Sequence, residues 1–240
     1  MTAGKNEQQK CTAALWQQYH GGSIPVIPDI KCQSPGEGDL LLGRDPVTIA
    51  QTLADAGAPV ISVVTEADHY GGSLVLLQRI AAAISVPILR KDFITTVEDI
   101  QETLDYGGSG VLLIASMLDK KQLFTLVEAA LHLHIEPLVE THSPEELLAV
   151  HDLPSTFIGI NNRNIKVWET DDGSVATTEQ LSPLVRPGVF LLSESAIATQ
   201  DDVRRAMAAG AHGVLVGTAI FRASDPVTMY HHLASTRLQP

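Results

Sequence analysis

Short apolar runs alternate with longer segments of helical periodicity along nearly the whole chain. The apolar runs cover residues 23–30, 60–64, 86–90, 110–114, 136–140, 157–160, 189–192 and 213–216. Most are continuous in apolar residues rather than alternating with polar ones, which is typical of strands buried on both faces in a parallel sheet. Pro28 is awkward in the first run, because proline removes a donor from the strand ladder. We nevertheless predict a strand there.

Apolar residues at helical spacing predict a helix between successive strands. These helices cover residues 45–57, 73–84, 96–106, 119–134 and 199–209, with others opening at Ser143, surrounding Glu179 and filling the chain after residue 216. Asp45-Pro46 is a strong start signal, an N-cap acid followed by proline at the first helical position. Residues 1–22 form an amphipathic lead-in, and residues 165–176 form a polar loop.

Eight strands alternating with helices, with no linker between them, favour an α/β fold. We predict a single (β/α)8 TIM barrel over residues 1–240, with residues 1–22 as a short N-terminal helical extension. The alternative is an open doubly wound sheet. A glycine-rich dinucleotide fingerprint after the first strand would favour that alternative, and the sequence has none.

Charge and composition narrow the classes of partner. The chain has 240 residues and a net charge of −12, which disfavours nucleic acid and anionic membranes as partners. No apolar run approaches the ~20 residues of a membrane span, and the N-terminus lacks the apolar core of a signal peptide. Cys11 and Cys32 suggest no disulfide framework, and the histidines match no zinc pattern. We expect a cytoplasmic protein without a metal, a monomer or weak homo-oligomer.

Polar side chains follow the predicted strands at the point where each strand ends. In a barrel these ends share one rim, where active sites lie. The candidates are Asp29, Lys31 and Ser34 after the first strand, Lys91 and Phe93 after the third, Glu140 after the fifth, Asn161 and Arg163 after the sixth, Glu194 and Ser195 after the seventh, and Gly217 and Thr218 after the eighth.

Each candidate also has a structural interpretation. Lys31 could pair with Asp29, and Lys91 with Asp92, while Asn161 could be a turn former. Together, however, the candidates bring three cations, three acids and two loops with hydroxyls to one rim. Barrels often bind phosphate on the loops after the seventh and eighth strands, which here carry Ser195 and Gly217-Thr218. The combination predicts an anionic, phosphorylated small-molecule substrate.

At this point the residues resemble a known family. The matching segments are 30–35, 59–66, 88–94, 111–114, 138–142, 158–164, 193–195 and 214–217, and the most diagnostic of them are Lys91-Asp-Phe93 and Gly159-Ile-Asn-Asn-Arg163. The chain is similar to indole-3-glycerol phosphate synthase, a lyase of tryptophan biosynthesis, from about residue 24 to residue 228. The resemblance implies that 1-(2-carboxyphenylamino)-1-deoxyribulose 5-phosphate closes its ring and then loses carbon dioxide and water, with no metal or cofactor.

The resemblance also assigns roles to the candidates. Lys91 would be the acid for ring closure, Glu140 the base for dehydration, and Lys31 a second acid or an anchor. We expect a lysine that lies among other cations, in a barrel mouth partly shielded from water, to have a lowered pKa. Asn161 and Glu194 would orient hydroxyls, and Arg163 would meet the substrate carboxylate. The aromatic ring would lie against Phe93, Leu112, Ile165 and Trp168, and the phosphate against Ser34, Ser195, Gly217 and Thr218.

Three positions depart from the family pattern. The family usually has glutamate at Asp29, a basic residue at Cys32 and glycine at Ala196. A carboxylate displaced by about 1 Å can lose ~10²-fold in rate, and a Cβ at residue 196 could crowd a backbone that approaches phosphate. These departures motivate two alternatives, a divergent lyase or isomerase acting on another phosphosugar, and a non-catalytic phosphate-binding barrel.

Overall fold

Eight parallel strands close into a barrel in the computed structural model, which describes residues 10–163 and 173–236. The strands are β1 (Val26–Ile30), β2 (Ile61–Val64), β3 (Ile88–Lys91), β4 (Gly110–Ile114), β5 (Glu136–Thr141), β6 (Phe157–Asn161), β7 (Phe190–Glu194) and β8 (Gly213–Val216). Each strand pairs with its neighbours in chain order, and β8 returns to β1, where Val26 aligns with Val214. The predicted (β/α)8 barrel is confirmed, and Pro28 does not interrupt β1.

Helices follow or connect the strands. They are α1 (Cys11–His20), α2 (Pro46–Asp55), α3 (Leu74–Ala83), α4 (Val97–Asp105), α5 (Lys120–His132), α6 (Pro144–Ala149), α7 (Ala176–Leu181), α8 (Gln200–Ala208), α9 (Thr218–Arg222) and α10 (Pro226–Ala234). The prediction of one final helix was wrong, because α9 and α10 are separate. Asp225 caps α10 and Pro226 is its first residue, the same start signal as Asp45-Pro46.

The loop after β1 contains a hairpin that the sequence pattern did not indicate. Its two-residue strands, Gln33–Ser34 and Gly38–Asp39, are too short to produce a detectable alternation of apolar and polar positions. At the end of this loop, Arg44 donates to the carbonyl oxygens of Phe221, within α9, and Ala223, directly after α9. The loop therefore lies against the end of the barrel formed by β8.

Helix α1 closes the N-terminal end of the barrel. Cys11 and Leu15 are fully buried in the cluster that fills the barrel interior. The backbone N–H of Thr12 donates to Glu136, the first residue of β5, at 2.8 Å, and Trp16 packs edge-on against Phe190, the first residue of β7. These strand contacts are made by the first residues of the strands, so α1 lies at the opposite end of the barrel from the C-terminal ends of the strands. It cannot cover a substrate bound at those C-terminal ends.

The apolar core has two layers. The larger layer lies between the strands and the helices, and the smaller fills the barrel interior with residues such as Ile27, Leu89, Leu138 and Leu192. Among the described residues, no helix is long and apolar enough to span a membrane.

Candidate active site

The two-residue period of a strand decides which polar side chains enter the mouth of the barrel. Leu89 points into the interior, so Lys91, two residues later, also points inward, whereas Arg90 contacts helix α4 outside the barrel through the carbonyl of Asp99. The same parity carries four other polar residues inward beyond apolar interior positions, namely Asp29 on β1, Glu140 on β5, Asn161 on β6 and Glu194 on β7.

Two adjoining cavities open at these strand ends. The first encloses about 550 Å³, including space open to solvent, and combines apolar walls from Phe93, Leu112 and Ile114 with the polar groups Glu140 and Asn161. The second, about 1100 Å³, is lined by Arg163, Ser195, Ala196, Gly217, Thr218 and Arg222. Asp29, Lys31 and Lys91 line both. The mouth thus joins a partly apolar compartment to one bearing cations and hydroxyls.

Lys91 lies at the centre of the polar groups. Its Nζ is 3.0 Å from Glu194 Oε2 and 3.9 Å from Glu140 Oε2. The alternative pairing with Asp92 does not form, because Asp92 instead accepts from Arg90 at 3.1 Å. Burial alone would lower the pKa of Lys91, but the surrounding carboxylates outweigh it and raise that pKa. The expected lowering was wrong because the nearest charges are acids rather than other cations.

Glu194 is fully buried at the end of β7 and shares its cation with a second carboxylate. Burial raises the pKa of Glu194 to about 7; Lys91 opposes this shift and Glu140 adds to it. Gly159 creates the space that Glu194 occupies, since a Cβ at residue 159 would lie 1.9 Å from Glu194 Oε1. No group in the described part of the chain donates a hydrogen bond to that oxygen, which leaves it able to accept one from a ligand.

Glu140 stays charged despite being buried. Burial would raise its pKa, but His142, Lys91 and Asn161 together lower it. Asn161 is in turn oriented by the backbone N–H of Arg163, which donates to Asn161 Oδ1 at 3.0 Å and leaves the amide nitrogen to face Glu140. The position of His142 along the chain does not indicate this contact, because the histidines match no recognised ligand pattern.

Asp29 and Lys31 each have a partner within the site. Ser62 on β2 donates its hydroxyl to Asp29 Oδ1 at 2.5 Å. The Lys31 ammonium lies 5.5 Å from the centre of the Tyr70 ring, close enough for a cation–π contact. Neither Ser62 nor Tyr70 was predicted. Ser62 lies inside a strand rather than at its end, and Tyr70 follows in the loop after β2.

The second cavity has an unusual backbone on one side. Ser195 and Ala196, directly after β7, have φ angles of 64° and 56°, in the left-handed region that favours glycine. Asn162 supports this turn, because its amide donates to the carbonyls of Glu194 at 2.9 Å and Ser195 at 3.1 Å. Arg222, which was not predicted, pairs with Glu37 of the hairpin loop at 3.0 Å.

The remaining predicted residues are placed as follows. Ser34 is buried in the hairpin and lines neither cavity, while Ile165 and Trp168 lie outside the described residues. Within residues 10–163 and 173–236, no three His, Cys, Asp or Glu side chains are grouped as metal ligands would be. All the other candidate site residues line one of the two cavities or contact a residue that does.

Comparisons with known proteins agree on one family. The model of the indole-3-glycerol phosphate synthase family matches residues 2–233. The chain is 43% identical to the indole-3-glycerol phosphate synthase of Pyrococcus furiosus over 206 residues, which is 85% of this chain and 89% of that one. It is 39% identical to the enzyme of the same name from Carboxydothermus hydrogenoformans, covering 89% and 80% of the two chains. It is 38% identical to the indole-3-glycerol phosphate synthase of Kineococcus radiotolerans, and the match covers 85% of this chain and 73% of that one.

Proposed function

The chain belongs to the indole-3-glycerol phosphate synthase family, and we propose that the polar groups at the barrel mouth carry out this family's reaction. The chain is accordingly a carboxy-lyase of tryptophan biosynthesis that acts on a phosphorylated small molecule. The reaction converts 1-(2-carboxyphenylamino)-1-deoxyribulose 5-phosphate to indole-3-glycerol phosphate, carbon dioxide and water. The observation that carries the assignment of residues is the position of Lys91 between two buried carboxylates, where the two cavities meet.

The two cavities suit the two ends of this substrate. The aromatic ring occupies the first, against Phe93 and Leu112. The phosphate occupies the second, near the Ser195 and Thr218 hydroxyls and the backbone of Gly217. Arg163 lines the second cavity and meets the ring carboxylate at the boundary, where a planar guanidinium suits it. The ketone between the two ends then lies near Lys91, which lines both cavities.

Ring closure places negative charge on the ketone oxygen. The ring carbon that bears the carboxylate attacks the ketone carbon, and the oxygen takes up the electron pair of the carbonyl bond. Lys91 stabilises this oxygen and donates a proton to it. The raised pKa of Lys91 keeps the amine charged at any working pH. Proton transfer remains favourable because an alkoxide is more basic than an amine.

Two losses complete the indole. Carbon dioxide leaves without the electron pair of its bond to the ring, and that pair restores aromaticity. Glu140 then removes a proton from the carbon beside the nitrogen, and the new hydroxyl departs as water with a proton from Lys31. Glu140 suits the role of base because its pKa is lowered, so the carboxylate is ionised at neutral pH. Asn161 and Glu194 orient the substrate hydroxyls, and Asp29 positions the cations beside it.

The location and assembly of the chain are inferred from its thiols, its net charge and its fold. We propose a cytoplasmic enzyme, since Cys11 and Cys32 are both free thiols. The net charge of −12 disfavours nucleic acid as a partner. We also propose that the chain is a monomer or a weak homo-oligomer, because its site is assembled from one barrel.

A fluorescence assay of indole formation tests the assignments. The purified chain should convert the carboxyphenylamino substrate, whereas Lys91→Met and Glu140→Gln should lose about 10²–10⁴-fold in kcat, the usual contribution of a positioned acid or base. Lys121→Met, an exposed lysine on α5, is the matched control and should retain full activity. A wild-type chain that leaves the substrate unchanged would refute the proposed reaction. Near-normal turnover by Lys91→Met would refute only the role of Lys91.

A further inference from the structure

His142 links the mouth of the barrel to a carboxylate outside it. The residue directly follows β5, and its Nε2 atom is 3.3 Å from Glu140 Oε1. Its Nδ1 atom is 3.3 Å from Glu146 Oε2, on the first turn of α6. The imidazole is therefore held between two carboxylates, of which only Glu140 faces the cavity that we assign to the aromatic ring.

Glu146 is itself committed to this histidine. Its backbone N–H is capped by the Ser143 hydroxyl at 3.2 Å, as expected for the third residue of a helix. In a capping box its carboxylate would return to the backbone N–H of Ser143. Instead it accepts the backbone N–H of His142 at 2.7 Å, so one carboxylate contacts both the main chain and the ring of His142.

We propose that His142 is a positioning residue for the synthase reaction, which orients Glu140 and keeps a positive charge beside it, while Glu146 holds the imidazole in place. The inference rests on the proposed role of Glu140 as the base. It extends that role, because it names the group that keeps a buried carboxylate ready to accept a proton. The arrangement follows the general logic of a base oriented by a third group.

The charges around Glu140 explain why a second cation is needed. Lys91 of β3 is closer to Glu194 of β7 than to Glu140, and Asp29 of β1 also draws on its charge. Glu140 is 1% exposed, so with only a share of Lys91 it would favour the neutral form. Burial lowers the pKa of His142, but Glu140 and Glu146 raise it to about 9, so the imidazole is charged at neutral pH.

The pH dependence of kcat separates this role from a purely structural one. Wild type is compared with His142→Gln, which keeps a hydrogen-bond donor but no charge, and with His142→Ala. Both variants should shift the acid limb of the kcat profile to higher pH by about one unit or more, which lowers kcat about tenfold at a pH on that limb. At pH values above the shifted limb the loss of kcat should be smaller, because Glu140 is ionised there without His142. Full rescue by His142→Gln with an unshifted profile would overturn the inference.

Histidine NMR provides a second test that does not depend on activity or on the stability of the His142 variants. The imidazole titration is followed in wild type, Glu140→Gln, Glu146→Gln and the control Glu145→Gln, an exposed neighbour on the same helical turn. Coupling between two charges is reciprocal, so the first two variants should each lower the midpoint of His142 and the control should not. A midpoint that is unchanged in Glu140→Gln would overturn the inference.

The outcomes also distinguish this inference from the proposed function. Full activity in Glu140→Gln would remove Glu140 as the base, and with it the ground for a positioning role. An inactive Glu140→Gln combined with unshifted profiles in both His142 variants would leave the proposed chemistry intact and refute only the role of His142.

Discussion

Replacing Lys91 by methionine should make the stability of the barrel depend on pH. Methionine retains most of the volume but removes the cation shared by Glu140, Glu194 and Asp29. Deleting one partner of a buried ion pair typically costs ~3–5 kcal/mol, because the remaining charge is left uncompensated. At pH 8 we expect this full cost. At pH 5 the carboxylates can take up protons, and the cost should fall below about 2 kcal/mol, in the range of an ordinary substitution.

The sign and size of this difference follow from proton binding. Without Lys91, the folded pKa of Glu140 rises above 4.5, the value of a free glutamate, and the pKa of Glu194, which is already about 7, rises further. The folded state then binds more protons than the unfolded state, so stability falls as pH rises from the unfolded pKa through the folded one. Uptake of one proton over about two pH units corresponds to ~2.7 kcal/mol, since each unit is worth ~1.36 kcal/mol.

Calorimetry at pH 5 and pH 8 measures the effect. For a chain of this size ~1 kcal/mol shifts Tm by about 2–4 °C, so Lys91→Met should lose about 6–20 °C at pH 8 and clearly less at pH 5. Adding Glu194→Gln should restore part of the loss at pH 8, because one uncompensated charge is removed. The exposed Lys121→Met should change stability by less than about 0.5 kcal/mol at either pH. Equal losses at both pH values would refute the electrostatic reasoning.

Three further predictions concern the site. Gly159→Ala should lower kcat by about 10²-fold, because the new Cβ would displace Glu194 from Lys91. Gly36→Ala, whose Cβ would have no atom near it, should leave kcat unchanged in the same assay. Ala196→Gly should stabilise the chain by up to ~1 kcal/mol in urea unfolding, since its φ of 56° favours glycine, and an unchanged or lower stability would contradict this. Glu194→Gln should remove a transition near pH 7 from the rate profile, because the pKa of Glu194 is about 7, and persistence of that transition would assign it to another group.

The barrel could be predicted from sequence because its signals are local and repeated. Each strand is a short apolar run, and most of the helices begin with a capping residue such as Asp45, Thr96 or Thr199. The errors occurred where the signal was too short to register, as in the hairpin at Gln33–Ser34, or where a start signal was overlooked, as at Asp225-Pro226.

The site could be predicted only at positions that lie at the end of a strand and also on the face of the strand that points into the barrel interior. Lys91, Glu140 and Glu194 satisfy both conditions, which is why the sequence singles them out. His142 shares the parity of Leu138 and Glu140 but lies past the end of β5, where the strand no longer fixes the direction of the side chain. Its role depends on a contact with Glu146 in α6. The direction of the Lys91 pKa shift also depends on distances between strands, which fix whether acids or bases are its nearest neighbours.

A hydrogen bond from Ser62 fixes the position of Asp29, the carboxylate that replaces the family's usual glutamate. A carboxylate one methylene shorter than glutamate cannot reach as far into the mouth, yet Asp29 is only 5% exposed and lines both cavities. The Ser62 hydroxyl, on the neighbouring strand and fully buried, holds one oxygen at 2.5 Å and leaves the other to act within the site. A tethered aspartate loses less conformational freedom on binding than a free glutamate would. From that fixed position the Asp29 carboxylate still acts on Lys91, because its charge contributes to the raised pKa of that lysine. The shorter side chain is therefore compatible with catalysis.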